Sequence, residues 1–132
     1  MKPPHFLNVD LDIESELPLR SLARELGDRV CVMFSGRMRD RHCLYLETGG
    51  AQKSQDATIN ALCALIEGLS TAGKRAWDAA EKREFDIGYE MRLSSHRAHR
   101  LRIRPNTLRR VGMLRASVAV TLYRQESRTK RI

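Results

Sequence analysis

DATINALCALIEGL, residues 56–69, carries the strongest helical pattern in the chain. Ile59, Leu62, Cys63, Ile66 and Leu69 fall at i, i+3, i+4, i+7 and i+10, one apolar stripe of a 3.6-residue period. Asp56 stands where an N-cap belongs: its carboxylate can accept from the free N–H groups of the first turn, and its charge suits the positive end of the helix dipole. Asn60 and Glu67 mark the polar side. Such a stripe must be buried against something. The segments on either side read mostly as strands, so the helix is expected to lie on one face of a sheet. A second helix is expected over 72–82, capped by Ser70, with Ala72, Ala76, Trp77 and Ala80 on one side. Trp77, the single tryptophan, reads as a core anchor.

Toward the N-terminus, HFLNVDLDIE (5–14) alternates strictly. Leu7, Val9, Leu11 and Ile13 point one way, and Asn8, Asp10, Asp12 and Glu14 the other, the period of a half-buried strand. A short helix follows over 17–26, with Pro18 in its first turn and Gly27 at its end. RVCVMF (29–34) and HCLYLET (42–48) read as a hairpin around a polar turn at 35–41, and Gly49-Gly50 opens the loop to the central helix. Toward the C-terminus, 84–91 alternates again, with Phe85, Ile87, Tyr89 and Met91 on one face. A polar loop at 92–98 leads to a strand at 100–104, with Leu101 and Ile103 inward and Arg100, Arg102 and Arg104 outward. A short helix from Pro105 and a last strand over 114–123 complete the pattern. Residues 1–5 and 124–132 are expected to be flexible ends of a single domain spanning 1–132.

The order β-α-β-β-α-β-β-α-β predicts an α+β domain. One mostly antiparallel or mixed sheet of about six strands would carry helices on one face. Its first six elements are those of a ferredoxin-like core, extended by a β-α-β unit.

The net charge of +8 is unevenly spread. Residues 92–132 hold 12 Lys and Arg against one acid, Glu126, so that third carries +11 and the remainder −3. Three cysteines, Cys31, Cys43 and Cys63, form no CxxC pair and lie in apolar segments, which reads as buried, reduced thiols in the cytoplasm. Cys31 and Cys43 could still meet across the hairpin. The start of the chain carries no hydrophobic signal region, and no apolar run is long enough to span a bilayer.

Three constellations are candidates for chemistry. Asp10, Asp12 and Glu14 line one strand, and Arg100, Arg102 and Arg104 another. As neighbours these strands would form a cross-strand ion network; apart, they would give an open face with an acidic and a basic lane. His96 and His99 straddle a loop and a strand start without the Cys or acid a zinc site needs. No phosphate loop, GxGxxG or HExxH occurs, so no cofactor, metal or catalytic set is expected. The arginines of the last third suit phosphate, but aromatics make up only 5% of the chain, too few for a base-stacking sheet.

FDIGYEM (85–91) followed by LRIRPNTLRRVGMLRASVAVTLY (101–123) resembles the C-terminal half of a bacterial family of uncharacterised single-domain proteins of about this length. Ile87-Gly88, Pro105, Leu108 and Tyr123 are the matching positions. The resemblance implies an α+β domain and supplies no catalytic residues. Some small bacterial proteins of this build act as immunity or accessory partners in toxin systems.

The function expected is therefore non-enzymatic binding of another protein, or self-association as a homodimer, through a face built from Arg100, Arg102, Arg104, Arg109, Arg110, Asp10, Asp12 and Glu14. Nucleic-acid binding by the arginine-rich third is the alternative, and a membrane role is not expected. An enzyme assembled from Asp10, Asp12 and His42 ranks last.

Overall fold

The computed structural model describes residues 5–50, 54–91, 98 and 100–124. The elements are β1 (His5–Ser15), α1 (Arg20–Leu26), a 3-10 turn (Gly27–Arg29), β2 (Val30–Met38), β3 (Arg41–Thr48), α2 (Gln55–Glu67), α3 (Thr71–Ala79), β4 (Lys82–Met91), α4 (Pro105–Met113) and β5 (Ser117–Arg124). The strands form one open mixed sheet in the order β2-β3-β1-β4-β5. β1 runs antiparallel to both of its neighbours, β2 runs antiparallel to β3, and β5 is parallel to β4. No helix among the described residues is long and apolar enough to cross a membrane.

Alternation decides which side of the sheet is dry. Val9, Leu11 and Ile13 of β1, Leu44 and Leu46 of β3, and Phe85 and Ile87 of β4 are fully buried. They join Leu22 and Leu26 of α1, the stripe Ile59, Leu62, Cys63 and Ile66 of α2, Trp77 of α3 and Val111 of α4 in one cluster. All four helices thus contribute to the core on that side. Full burial of each large aliphatic or aromatic side chain stabilises the fold by about 1.5–3 kcal/mol. Trp77 is 2% exposed and donates its indole N–H to the Leu114 carbonyl at 2.9 Å, so its one polar atom is satisfied.

Several boundaries differ from expectation. Leu7 is not inward: the β1–β4 register shifts between Phe6 and Asn8, so Leu7 is left out as a bulge, 37% exposed, and Phe6 packs on the core. β2 runs on to Met38, through most of the expected polar turn, because Arg39 and Asp40 alone close the hairpin with φ of 51° and 66°. The cap of α2 is Ser54, whose side chain accepts from Ala57 N at 3.1 Å, rather than Asp56. Ser70 does cap α3, accepting from Gly73 N at 3.1 Å. α1 begins at Arg20, after Pro18.

The largest difference is the sixth strand. Residues 100–104 form no strand, and among the described residues the sheet has five. The reason is local competition. Gln55 Nε2 donates to the Arg102 carbonyl at 2.6 Å, and the Arg104 N–H donates to Asp56 Oδ1 at 3.0 Å. Side chains at the start of α2 thus take the backbone groups that a ladder would have used. β5 pairs directly with β4 instead. The expected polar loop at 92–98, apart from residue 98, the His96 and His99 pair, and the two ends beyond His5 and Arg124 lie outside the described residues.

Candidate interaction face

The side of the sheet opposite the core carries no described helix. β1 contributes Asn8, Asp10, Asp12 and Glu14, the polar half of its alternation. The register of β3 adds Cys43, Tyr45 and Glu47 to this side, and that of β4 adds Lys82, Glu84, Asp86 and Gly88. Six carboxylates (Asp10, Asp12, Glu14, Glu47, Glu84, Asp86) therefore share the face with the Lys82 ammonium and, at its hairpin end, the Arg41 guanidinium, which reaches Glu81 at 3.3 Å. Two rows cross the strands: Phe34, Tyr45, Asp12, Glu84 and Ser117 in one, and Asp10, Asp86 and Ala119 in the next.

Part of this charge is balanced within the fold. Lys82 reaches Glu14 at 3.5 Å and Glu84 at 3.6 Å. The Tyr45 hydroxyl donates to Glu14 at 2.7 Å. Thr121 donates its hydroxyl to Asp86, with 2.7 and 2.9 Å to the two oxygens. Asn8 Nδ2 donates to Glu47 at 2.6 Å and to Asp10 at 3.2 Å.

Asp10 and Asp12 make no ion pair among the described residues. Burial, then the charges of Asp12, Glu47 and Asp86, push the Asp10 carboxyl up from 3.8 to about 6. Asp12 rises to about 6 as well, through burial and the charges of Asp86, Glu84 and Glu14, with Lys82 opposing. The register adds to the effect of burial. Asp10 stands directly opposite Asp86 and Asp12 directly opposite Glu84, and like charges in facing cross-strand positions repel.

Aromatic rings flank the acids. Phe34 and Tyr45 pack with centroids 5.8 Å apart on the β2 side. On the β5 side Tyr123 lies against Gly88, where a Cβ would stand 3.4 Å from the ring and 3.0 Å from Asn8 Oδ1. The acidic lane thus runs between two aromatic borders.

Of the residues expected to form a site, Asp10, Asp12 and Glu14 lie together on this face. The arginines do not join them: β1 is flanked by β3 and β4, so the cross-strand ion network does not form. Arg100, Arg102, Arg104 and Arg109 are exposed around the start of α4. Arg110 is committed within the fold: its Nε and Nη2 fork onto Glu67 at 3.0 and 2.5 Å, while Nη1 donates to Asn60 Oδ1 at 2.8 Å. His42 pairs with Ser15 in register and so belongs to the core side, away from Asp10 and Asp12, which removes that trio as a catalytic set. Tyr45, Glu47, Glu84 and Asp86 were missed. Alternation in 84–91 marks Asp86 as outward-facing, but only strand order puts it against Asp10.

Cys31 is exposed, contrary to expectation, because β2 is an edge strand, while Cys43 and Cys63 are buried. In register Cys31 faces Glu47 and Cys43 faces Gly36, so the hairpin does not bring the two thiols together. Among the described residues no three His, Cys, Asp or Glu side chains are grouped so as to hold a metal ion. Compared with protein-family models, curated proteins and solved structures, the chain matches none.

Proposed function

We propose that this chain is a non-enzymatic protein-binding domain, of the immunity or accessory type, whose uncovered acidic sheet face takes a positively charged segment of another protein. The observation that carries this reading is the pair of facing like charges, Asp10 against Asp86 and Asp12 against Glu84, at the centre of that face. Facing carboxylates cost stability in the isolated fold, and sequences that otherwise agree with their fold break such local rules mainly where function needs it. A guanidinium or ammonium seated between the strands would relieve both pairs, with the planar fork of arginine matching two carboxylates best. The borders Phe34–Tyr45 and Tyr123 add apolar area and ring faces that attract cations.

The scaffold fits this use. β1 between β3 and β4, with β2 outermost and all three pairings antiparallel, supports reading residues 5–91 as a ferredoxin-like unit, to which α4 and β5 are added. Buried free Cys43 and Cys63 support a reducing, cytoplasmic setting.

The test is fluorescence anisotropy with a labelled arginine-rich peptide at low and physiological salt. Saturable binding is expected, lost on Asp10→Asn with Asp12→Asn and Asp86→Asn, and kept on Arg100→Glu with Arg102→Glu and Arg104→Glu. Equal binding by the wild type and the Asp-to-Asn variant would remove the acidic face from consideration. A second reading, nucleic-acid binding, rests on the exposure of Arg100, Arg102, Arg104 and Arg109. Labelled RNA and duplex DNA in the same assay separate the two, since binding through those arginines would weaken steeply with salt and vanish in the Arg-to-Glu variant.

A further inference from the structure

We infer that two copies of this chain join edge to edge through β2, antiparallel about a twofold axis, so that the two five-stranded sheets continue into each other. β2 has β3 on one side only, which leaves a row of backbone N–H and C=O groups along its other edge. Strand edges in monomers are usually blunted by lysine, other charges or proline. Here VCVMFSGRM (30–38) contains one charged residue, Arg37, and no proline, and its one irregularity is a register shift against β3 at Met33, between Val32 and Phe34. Val32, Met33, Phe34 and Met38 are 44%, 57%, 37% and 44% exposed. A ladder partner would satisfy the backbone row, and apolar neighbours on that partner would cover these side chains.

The charges at the two ends of β2 favour a second copy as the occupant. Arg37 and Arg39 stand at its hairpin end. Asp28, just before β2, and Glu47, paired with Cys31, stand at the other. A twofold axis at a strand edge makes the two strands antiparallel, and the same patch then meets itself in reverse. The arginines of each copy arrive beside the Asp28–Glu47 end of its partner, and the two Arg37 side chains sit at opposite ends. The join takes up Glu47 and Phe34 at the margin of the acidic lane but leaves its centre, Asp10, Asp12, Glu84 and Asp86 on β1 and β4, uncovered.

Sedimentation velocity of the wild-type chain over a range of concentrations, at low and physiological salt, tests this. A dimer is expected, monomeric in Val32→Lys with Met33→Lys and weakened in Arg37→Glu with Arg39→Glu, with circular-dichroism spectra at room temperature unchanged. Asp10→Asn with Asp12→Asn should remain a dimer, which separates this inference from the fate of the acidic face. A wild type that stays monomeric at every concentration overturns it, as does a lysine variant that still dimerises. If the lysine variant does not fold, amide hydrogen exchange of the wild type decides. Protection of the β2 amides that rises with protein concentration supports the join, and protection independent of concentration overturns it.

Discussion

Gly73 and Gly112 both sit inside helices, yet their surroundings predict opposite signs for the same substitution. A Cβ at Gly112 in α4 meets nothing within 4 Å, so Gly112→Ala gains only the helix preference of alanine, about 1 kcal/mol. A Cβ at Gly73 would stand 2.5 Å from Glu25 Oε1 and 3.2 Å from Leu69 Cβ. That Glu25 carboxylate crosses from α1 to accept from Ser70 N and Ser70 Oγ, both at 2.6 Å, and so holds the capping residue of α3 in place. Gly73→Ala should push it off, and the lost cap contacts should outweigh the propensity gain, for a net loss of stability. Urea denaturation of the two variants checks the pair, and a stabilised Gly73→Ala would mean that Glu25 is not needed there. Thiol chemistry gives a second residue-scale expectation. Cys63 lies on the α2 stripe, and burial pushes its thiol up to about 11. Cys31 should therefore react readily with a maleimide in the native protein, and Cys43 and Cys63 only on unfolding. The sequence spaced Cys63 correctly for burial. It gave no sign that Cys31 would be exposed, because an edge strand and a central strand share the same apolar composition.

At the scale of the element, β1 is the strand on which acid–base balance and binding meet. Its inward half needs no partner beyond the core, and its outward half is set by β3 and β4. Asp10 and Asp12 hold protons more tightly when folded, at about 6, than the ordinary 3.8 of an unfolded chain. The folded state therefore binds more protons between those values, and stability falls as pH rises from about 4 to about 6, then levels off. Both side chains are only half-buried, so the loss is well below what the full shift implies, on the order of 1 kcal/mol for each. Asp10→Asn should accordingly be more stable than the wild type at pH 8 and equal to it at pH 4, measured by urea titration at both values. A wild type whose stability rises over that range would contradict the crowding of carboxylates on this face. For the same reason, capture of a cationic peptide should strengthen as pH rises through 6. The strict alternation of HFLNVDLDIE made the acidic stripe legible. The bulge at Leu7 was not, because a register shift arises between two strands and leaves no mark in one.

Over the whole molecule, charge is segregated by fold rather than by sequence thirds. The acidic residues of β1, β3 and β4 come from three separate stretches, and strand order collects them on one open face. The arginines at 100–104 are drawn to the start of α2 by Gln55 and Asp56 instead of being laid beside β1. Replacing Arg100, Arg102 and Arg104 with glutamate should leave the thermal melt within a few degrees of wild type, because the contacts described for this segment use its backbone; a large loss of stability would show that the side chains anchor it. By contrast, Phe85→Ala, at the centre of the core, should cost about 3–5 kcal/mol and abolish cooperative melting or lower its midpoint sharply. By itself the sequence determined the α+β class, the apolar stripe of α2, the burial of Trp77 and the inward residues Val9, Leu11 and Ile13 of β1 and Phe85 and Ile87 of β4, because these depend on periods of 3.6 and 2 that operate within one element. Only the tertiary structure decided that Asp10 faces Asp86, that 100–104 is not a strand, and that β2 is an edge. Those depend on which strand lies beside which, and pairing between segments tens of residues apart is set by competition among all of them.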